Sequence, residues 1–104
     1  MANPERLESI VALFHKLLAH QDDVKIQVRD RLPDKDTGEL REVDVSIRGK
    51  VASAPVLIIV ECRDHARTQD VQWIEQLETK RVGVGANAAI AVSSSGFSLS
   101  LIHI

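Results

Sequence analysis

The chain has 104 residues, of which 44% are apolar, 27% charged and 3% aromatic, with a formal net charge of -2; this is the profile of one small globular domain rather than two. No apolar run approaches the ~20 residues of a membrane span, and the opening MANPERLE lacks the basic-then-apolar pattern of a signal peptide, so a cytoplasmic protein is expected. The single Cys62 excludes an internal disulfide, four scattered histidines offer no zinc cluster, and thirteen Lys+Arg against fifteen Asp+Glu give no global basic field.

Asn3 and Pro4 form a helix start, since Asn can cap free amides and Pro at the first helical position has no donor to waste. Leu7, Ile10, Val11, Phe14, Leu17 and Leu18 then recur at spacings of three and four, which predicts an amphipathic helix over Pro4–His20. Val24–Leu32 and Glu39–Arg48 each alternate apolar and polar residues around the turn-rich Pro33–Gly38, and predict an antiparallel hairpin with one face buried. Val56–Val60 is continuously apolar and largely β-branched, as a strand covered on both faces should be. Thr68 can cap a second helix over Gln69–Val82, with Val71, Ile74 and Leu77 inward and Gly83 and Gly85 closing it. Ala88–Val92 is a further buried strand, followed by a Ser93–Ser98 loop. The order α-β-β-β-α-β defines an α/β layer whose mixed sheet combines a hairpin with a crossover.

Two acids interrupt this pattern. Asp44 lies inside a half-buried strand and Glu61 follows five apolar residues, and a buried carboxylate needs a cation or several donors nearby. Two readings are open. Asp44 points outward while Glu61 forms an ordinary strand-end salt bridge; or the two acids, with the backbone carbonyl of Cys62, hold Mg²⁺ in an open site able to take a phosphate oxygen and an attacking water.

Asp44, Val60-Glu61-Cys62-Arg63 after an apolar strand, a helix, and then Ile90-Ala91-Val92-Ser93-Ser94-Ser95-Gly96-Phe97-Ser98 together resemble the Mrr-like branch of the PD-(D/E)XK, or restriction-endonuclease-like, nucleases. The resemblance spans roughly Val24–Ser98. It implies a restriction-endonuclease-like core and a DNA endonuclease using Mg²⁺ or Mn²⁺, with Asp44 and Glu61 as the metal-binding acids. Arg63 stands where the family's catalytic lysine usually stands. Arginine keeps its proton and can only orient or stabilise negative charge, so Arg63 is expected to clamp phosphate. Members of the superfamily move the lysine to the neighbouring helix, where Lys80 shares a face with Gln76; a lysine near a helix end also serves simply to complement the dipole. The catalytic set implied is Asp44, Glu61, Arg63 and Lys80, with Arg63, Arg67, Gln76 and Lys80 toward nucleic acid and Arg81 as a further phosphate contact. An alternative is a nuclease fold without activity, retained as a nucleic-acid-binding or oligomerising module.

The remaining polar candidates have ordinary explanations: Gln69, Gln72 and Glu8 as solvated helix positions, His65 as a loop residue, Trp73 as a core-edge aromatic. In the family, Gly-Phe-Ser opens a further helix. Here Leu99-Ser100-Leu101-Ile102-His103-Ile104 alternates like a strand instead, so that helix is expected to be missing, and the apolar tail predicts a homodimer or higher oligomer. The near-even charge balance predicts weak non-specific DNA binding.

Overall fold

The computed structural model describes residues 4–18, 23–64, 71–95 and 98–103. In chain order the elements are α1 (Pro4–Leu17), β1 (Lys25–Pro33), β2 (Leu40–Val51), β3 (Ala54–Asp64), α2 (Val71–Val84), β4 (Ala88–Ser95) and β5 (Ser98–His103). The expected α-β-β-β-α-β succession is present and a fifth strand follows it. The strands lie side by side in chain order, β1-β2-β3-β4-β5. Three pairings are antiparallel and β3–β4 is parallel, which requires α2 as a crossover because a tight turn cannot connect parallel neighbours.

The sheet separates two cores. On one face Ile10 of α1 packs with Val45, Ile47, Val60, Cys62 and Val92. On the other, Leu77 of α2 packs with Leu32, Val43, Ile59 and three alanines, Ala86, Ala89 and Ala91. Within β3, Ile58, Val60 and Cys62 face one core while Leu57 and Ile59 face the other, which is why Val56–Val60 is apolar without alternation.

β1 and β2 do not keep a single parity. Ile26 belongs to the first core and Leu32 to the second; Val43 and Val45, only two residues apart, also fall in opposite cores. A regular pleat would put each pair on one face. The break is at Arg29, whose φ of 54° is left-handed, and the flanking pairs Asp30↔Val43 and Val28↔Val45 place it across from Asp44. Pairing of β2 with β3 starts only at Val45↔Val60, one step short of Asp44 and Glu61. The sheet therefore turns over and opens at a single level, and both acids sit there.

Several boundaries differ from the sequence expectation. α1 ends at Leu17, with the Leu18 amide donating to the Phe14 carbonyl at 2.9 Å. Its packing stripe runs through Ile10, Val11, Phe14 and Leu18, and Leu17 falls on the flank, 67% exposed. Ile74 and Leu77 face the second core as expected, but Val71 is 63% exposed, because the inward face of α2 is centred on Trp73, Leu77, Lys80 and Val84 at spacings of four, three and four. Gly83 does not stop α2. Gly85 does, at φ 74°: Ala86 N–H donates to Arg81 O at 3.0 Å and Gly85 N–H to Val82 O at 3.2 Å, the paired bonds of a Schellman cap. Gly83 instead lies against Asp34, where a Cβ would collide with the carboxyl group, and its carbonyl accepts from Lys35 N–H at 2.9 Å. Ser93–Ser95 belong to β4 rather than to a loop, since Ser93 pairs with both Arg63 of β3 and Ser100 of β5. Ser98–His103 form β5, as the alternation of this segment suggests. Asn3, His65, Arg67, Thr68, Gln69, Gly96 and Phe97 lie outside the described residues.

Candidate active site

At the open end of the β2–β3 pairing, Glu42, Asp44, Glu61, Cys62, Arg63, Trp73, Gln76 and Lys80 line a pocket of ≈ 300 Å³. Asp44 is 6% exposed, so the outward-pointing reading of this residue is not what the fold presents. The reason is the loss of pairing: where the two strands part, the Cys62 amide donates to Asp44 Oδ2 at 2.8 Å, and the carboxylate takes the place of a ladder acceptor. Cys62 itself is a buried small hydrophobe.

Glu61 enters from the end of β3 and Lys80 from the inward face of α2. Lys80 Nζ donates to Glu61 Oε1 at 2.7 Å and to the Glu42 carbonyl at 3.0 Å. The ammonium has three N–H groups, which leaves one for an anion in the pocket. The pair is mostly covered, with 21% of the Lys80 side chain and 14% of the Glu61 side chain exposed. Burial nevertheless pushes the Glu61 carboxyl up to about 7; Lys80 pulls it down, and the negative charge of Asp44 and a hydrogen bond with it raise it again. A single cation does not offset desolvation plus a second carboxylate. Added positive charge between these acids would, and that is the chemistry a divalent ion brings.

Among the described residues no group of three or more His, Cys, Asp or Glu side chains converges as a metal-binding set. The side-chain donors present are two carboxylates, and Cys62, whose peptide carbonyl is the expected third donor, lines the same pocket. They suit an ion such as Mg²⁺, which binds through one or two carboxylates and keeps several waters, better than one demanding a full protein cage.

Arg63 is exposed, and its guanidinium lies 5.6 Å from the Trp73 ring centroid, a cation–π distance. Trp73 is half-buried against the second core, as a core-edge aromatic should be, and it also forms the seat for Arg63. Gln76 lines the pocket one turn from Lys80. Arg81 is committed elsewhere: its Nε and Nη2 engage the two Glu78 oxygens at 2.8 and 2.5 Å, and Nη1 reaches Ala86 O at 3.1 Å. It locks the end of α2 and is not a phosphate contact of this pocket. Glu8 is exposed on α1 and does not line the pocket. Glu42 was not apparent in the sequence, since it contributes through its carbonyl, which no side-chain pattern reports.

Asp30 and Asp34 are further buried acids that sequence patterning passes over. Both are satisfied locally. Asp30 Oδ2 accepts from Ser46 Oγ at 2.8 Å and Arg48 Nη2 at 3.1 Å, while Oδ1 accepts from Arg31 N–H at 2.9 Å. Asp34 Oδ1 accepts from the Asp36 and Thr37 amides at 2.8 and 3.2 Å, and Oδ2 from Arg41 Nη1 at 3.1 Å. The Asp36 amide foremost holds the Asp34 carboxyl below its ordinary range.

No protein-family model and no curated protein matches the chain. Among solved structures, the crystal structure of SSO0001 is similar to it with a TM-score of 0.52 and 16% identity, over 97% of this chain and 52% of that one. The chain thus spans about half the length of that neighbour. A likeness at this identity establishes a shared α/β fold with a mixed sheet; function has to be argued from the site.

Proposed function

We propose that the protein is a metal-dependent DNA endonuclease of the PD-(D/E)XK, Mrr-like type. The observation that supports this most is the meeting of Lys80 with Glu61 beside buried Asp44 in one open pocket. Three residues from three elements, β2, β3 and α2, converge where the sheet opens, and each costs burial that a purely structural position would avoid. Asp44, Glu61 and the Cys62 carbonyl would hold Mg²⁺ or Mn²⁺. Bound there, the ion would supply Lewis acidity to the scissile phosphodiester and to the attacking water.

The protein's own groups do the rest. Lys80 fixes the Glu61 carboxylate and keeps one N–H for a phosphate oxygen, in place of the lysine that Arg63 replaces. Arg63, braced on Trp73, offsets charge developing on the phosphate without exchanging a proton. Gln76 offers an amide to the same face. Cleavage of DNA with Mg²⁺, lost in Asp44→Asn and in Glu61→Gln, is the test; equal cleavage by all three proteins would reject it.

The rival reading is an inactive nuclease fold that binds nucleic acid or oligomerises. It draws on two observations: the third metal-ligating side chain is missing among the described residues, and β5 leaves a strand at the edge of the described sheet, which suits pairing with a second copy in a homodimer. Calorimetry with Mn²⁺ separates the two, since an abandoned site gives no saturable binding that Asp44→Asn abolishes. No helix among the described residues is long and apolar enough to cross a membrane.

A further inference from the structure

β1 is an edge strand, and its exposed charged residues are all cations: Lys25, Arg29 and Arg31. Its one acid, Asp30, is buried and engaged by Arg48 and Ser46. None of the three cations has an ion-pair partner among the described residues, although Arg31 stands opposite Glu42, and Lys25 stands opposite Arg48, in the β1–β2 register. Only Lys25 faces a like charge, and that Arg48 is itself paired with Asp30. Arg29 and Arg31 stand across from acids yet form no ion pair with them, so the edge presents cations left available to an outside anion.

Arg29 adds an independent observation. Its φ of 54° is a conformation that suits glycine or asparagine and disfavours a long side chain. A bulky, exposed cation is kept at a strained point where a smaller residue would be easier to accommodate. That point faces Asp44 across the ladder, at the level where the sheet opens into the pocket. Edge charge that merely discourages aggregation can sit on any exposed strand position; it does not require the one left-handed residue in β1.

We infer that a polyanion track crosses the β1 edge at Arg29, the phosphate contact that leads nucleic acid over the β1–β2 hairpin toward Asp44 and Glu61, with Lys25 and Arg31 flanking it on opposite faces of the turned-over strand. The inference rests on the nucleic-acid reading of the pocket but not on its catalysis. The ligand chemistry is a run of phosphodiesters held by charge, with no base reading, so binding is salt-dependent and tolerant of sequence.

The test is fluorescence anisotropy of a short labelled duplex DNA of random sequence, titrated with the full chain in EDTA at several salt concentrations. Arg29→Asn removes the cation but tolerates the left-handed backbone, so its Tm should equal or exceed that of the wild type. Its DNA affinity should fall several-fold, with the slope of log K against log[salt] reduced by about one. Arg29→Lys should retain most of the affinity. Wild-type affinity and slope in Arg29→Asn, or a wild type that does not bind duplex at all, would overturn the track. The two ideas fail separately: Arg29-dependent binding without Mg²⁺-dependent cleavage leaves the track standing and rejects the nuclease, whereas cleavage with an unchanged KM in Arg29→Asn does the reverse.

Discussion

Lys80 Nζ, on the inward face of α2, lies 2.7 Å from Glu61 Oε1 at the end of β3. The two are nineteen positions apart, and the crossover from β3 through α2 to β4 brings them together. Both side chains are largely covered, so removing one partner leaves the other poorly solvated. Lys80→Met should destabilise the protein by roughly 3 kcal/mol above neutral pH, and by less in acid, where Glu61 can neutralise itself. Lys80→Met combined with Glu61→Gln should cost less than the two single changes added together. Urea denaturation of the four proteins checks this, and simple additivity would show that the contact is not coupled.

Glu61 also sets a pH dependence. Its carboxyl is raised from an ordinary 4.5 to about 7 in the folded protein, chiefly by burial. The folded state therefore binds more protons than the unfolded state between those values, and stability must fall as pH rises through that window. The drop is on the order of 3 kcal/mol at most, counting about 1.4 kcal/mol for each unit. Denaturation midpoints in EDTA should decline across the window for the wild type and stay flatter for Glu61→Gln. A midpoint that climbs with pH in both proteins would contradict the assignment.

The connector between β1 and β2 docks on the last turn of α2 through Asp34 and Gly83. In an unremarkable helix interior, Gly→Ala stabilises by about 1 kcal/mol. Here the added methyl meets the Asp34 carboxyl group, which is tied down by the Asp36 and Thr37 amides and by Arg41. Gly83→Ala should therefore destabilise, by roughly 1–3 kcal/mol. The sign of the change in melting temperature decides it.

The tight turn from β2 to β3 holds Ala52 and Ser53 at φ 50° and 69°, both in the left-handed region that a two-residue type I′ hairpin demands. Asn-Gly suits those conformations better than Ala-Ser. Replacing Ala52 by Asn and Ser53 by Gly should raise stability by about 1 kcal/mol, measured by thermal melting, with the proposed DNA cleavage unaffected because the turn lies at the far end of the hairpin from Asp44.

The elements that could be read from the sequence are those whose periodicity matches what they bury. Ile10, Phe14 and Leu18 sit where the α1 stripe puts them, and Leu57–Val60 is covered on both faces. Val71 departs from the expected inward face of α2 because Trp73 and Lys80, one aromatic and one charged, occupy that face and do not count as apolar positions. β5 is visible in the sequence only as an alternating tail, and the continuation of its partner β4 through Ser95 is hidden there because serine carries little strand signal of its own. Asp44 and Glu61 stood out as acids in apolar strands. Their company did not: the turnover of the sheet at Arg29, the Glu42 carbonyl and the Arg63–Trp73 stack are products of register and twist, which no local pattern encodes.

The most direct measurement is Mg²⁺-dependent nicking of supercoiled plasmid by the wild type, Asp44→Asn, Lys80→Ala and Arg63→Ala at equal concentration. The wild type should nick DNA, Asp44→Asn and Lys80→Ala should each lose on the order of 100-fold in rate, and Arg63→Ala should lose less than Lys80→Ala. Nicking by Asp44→Asn and Lys80→Ala at the wild-type rate, or none by the wild type with either Mg²⁺ or Mn²⁺, would contradict a nuclease centred on Asp44, Glu61 and Lys80.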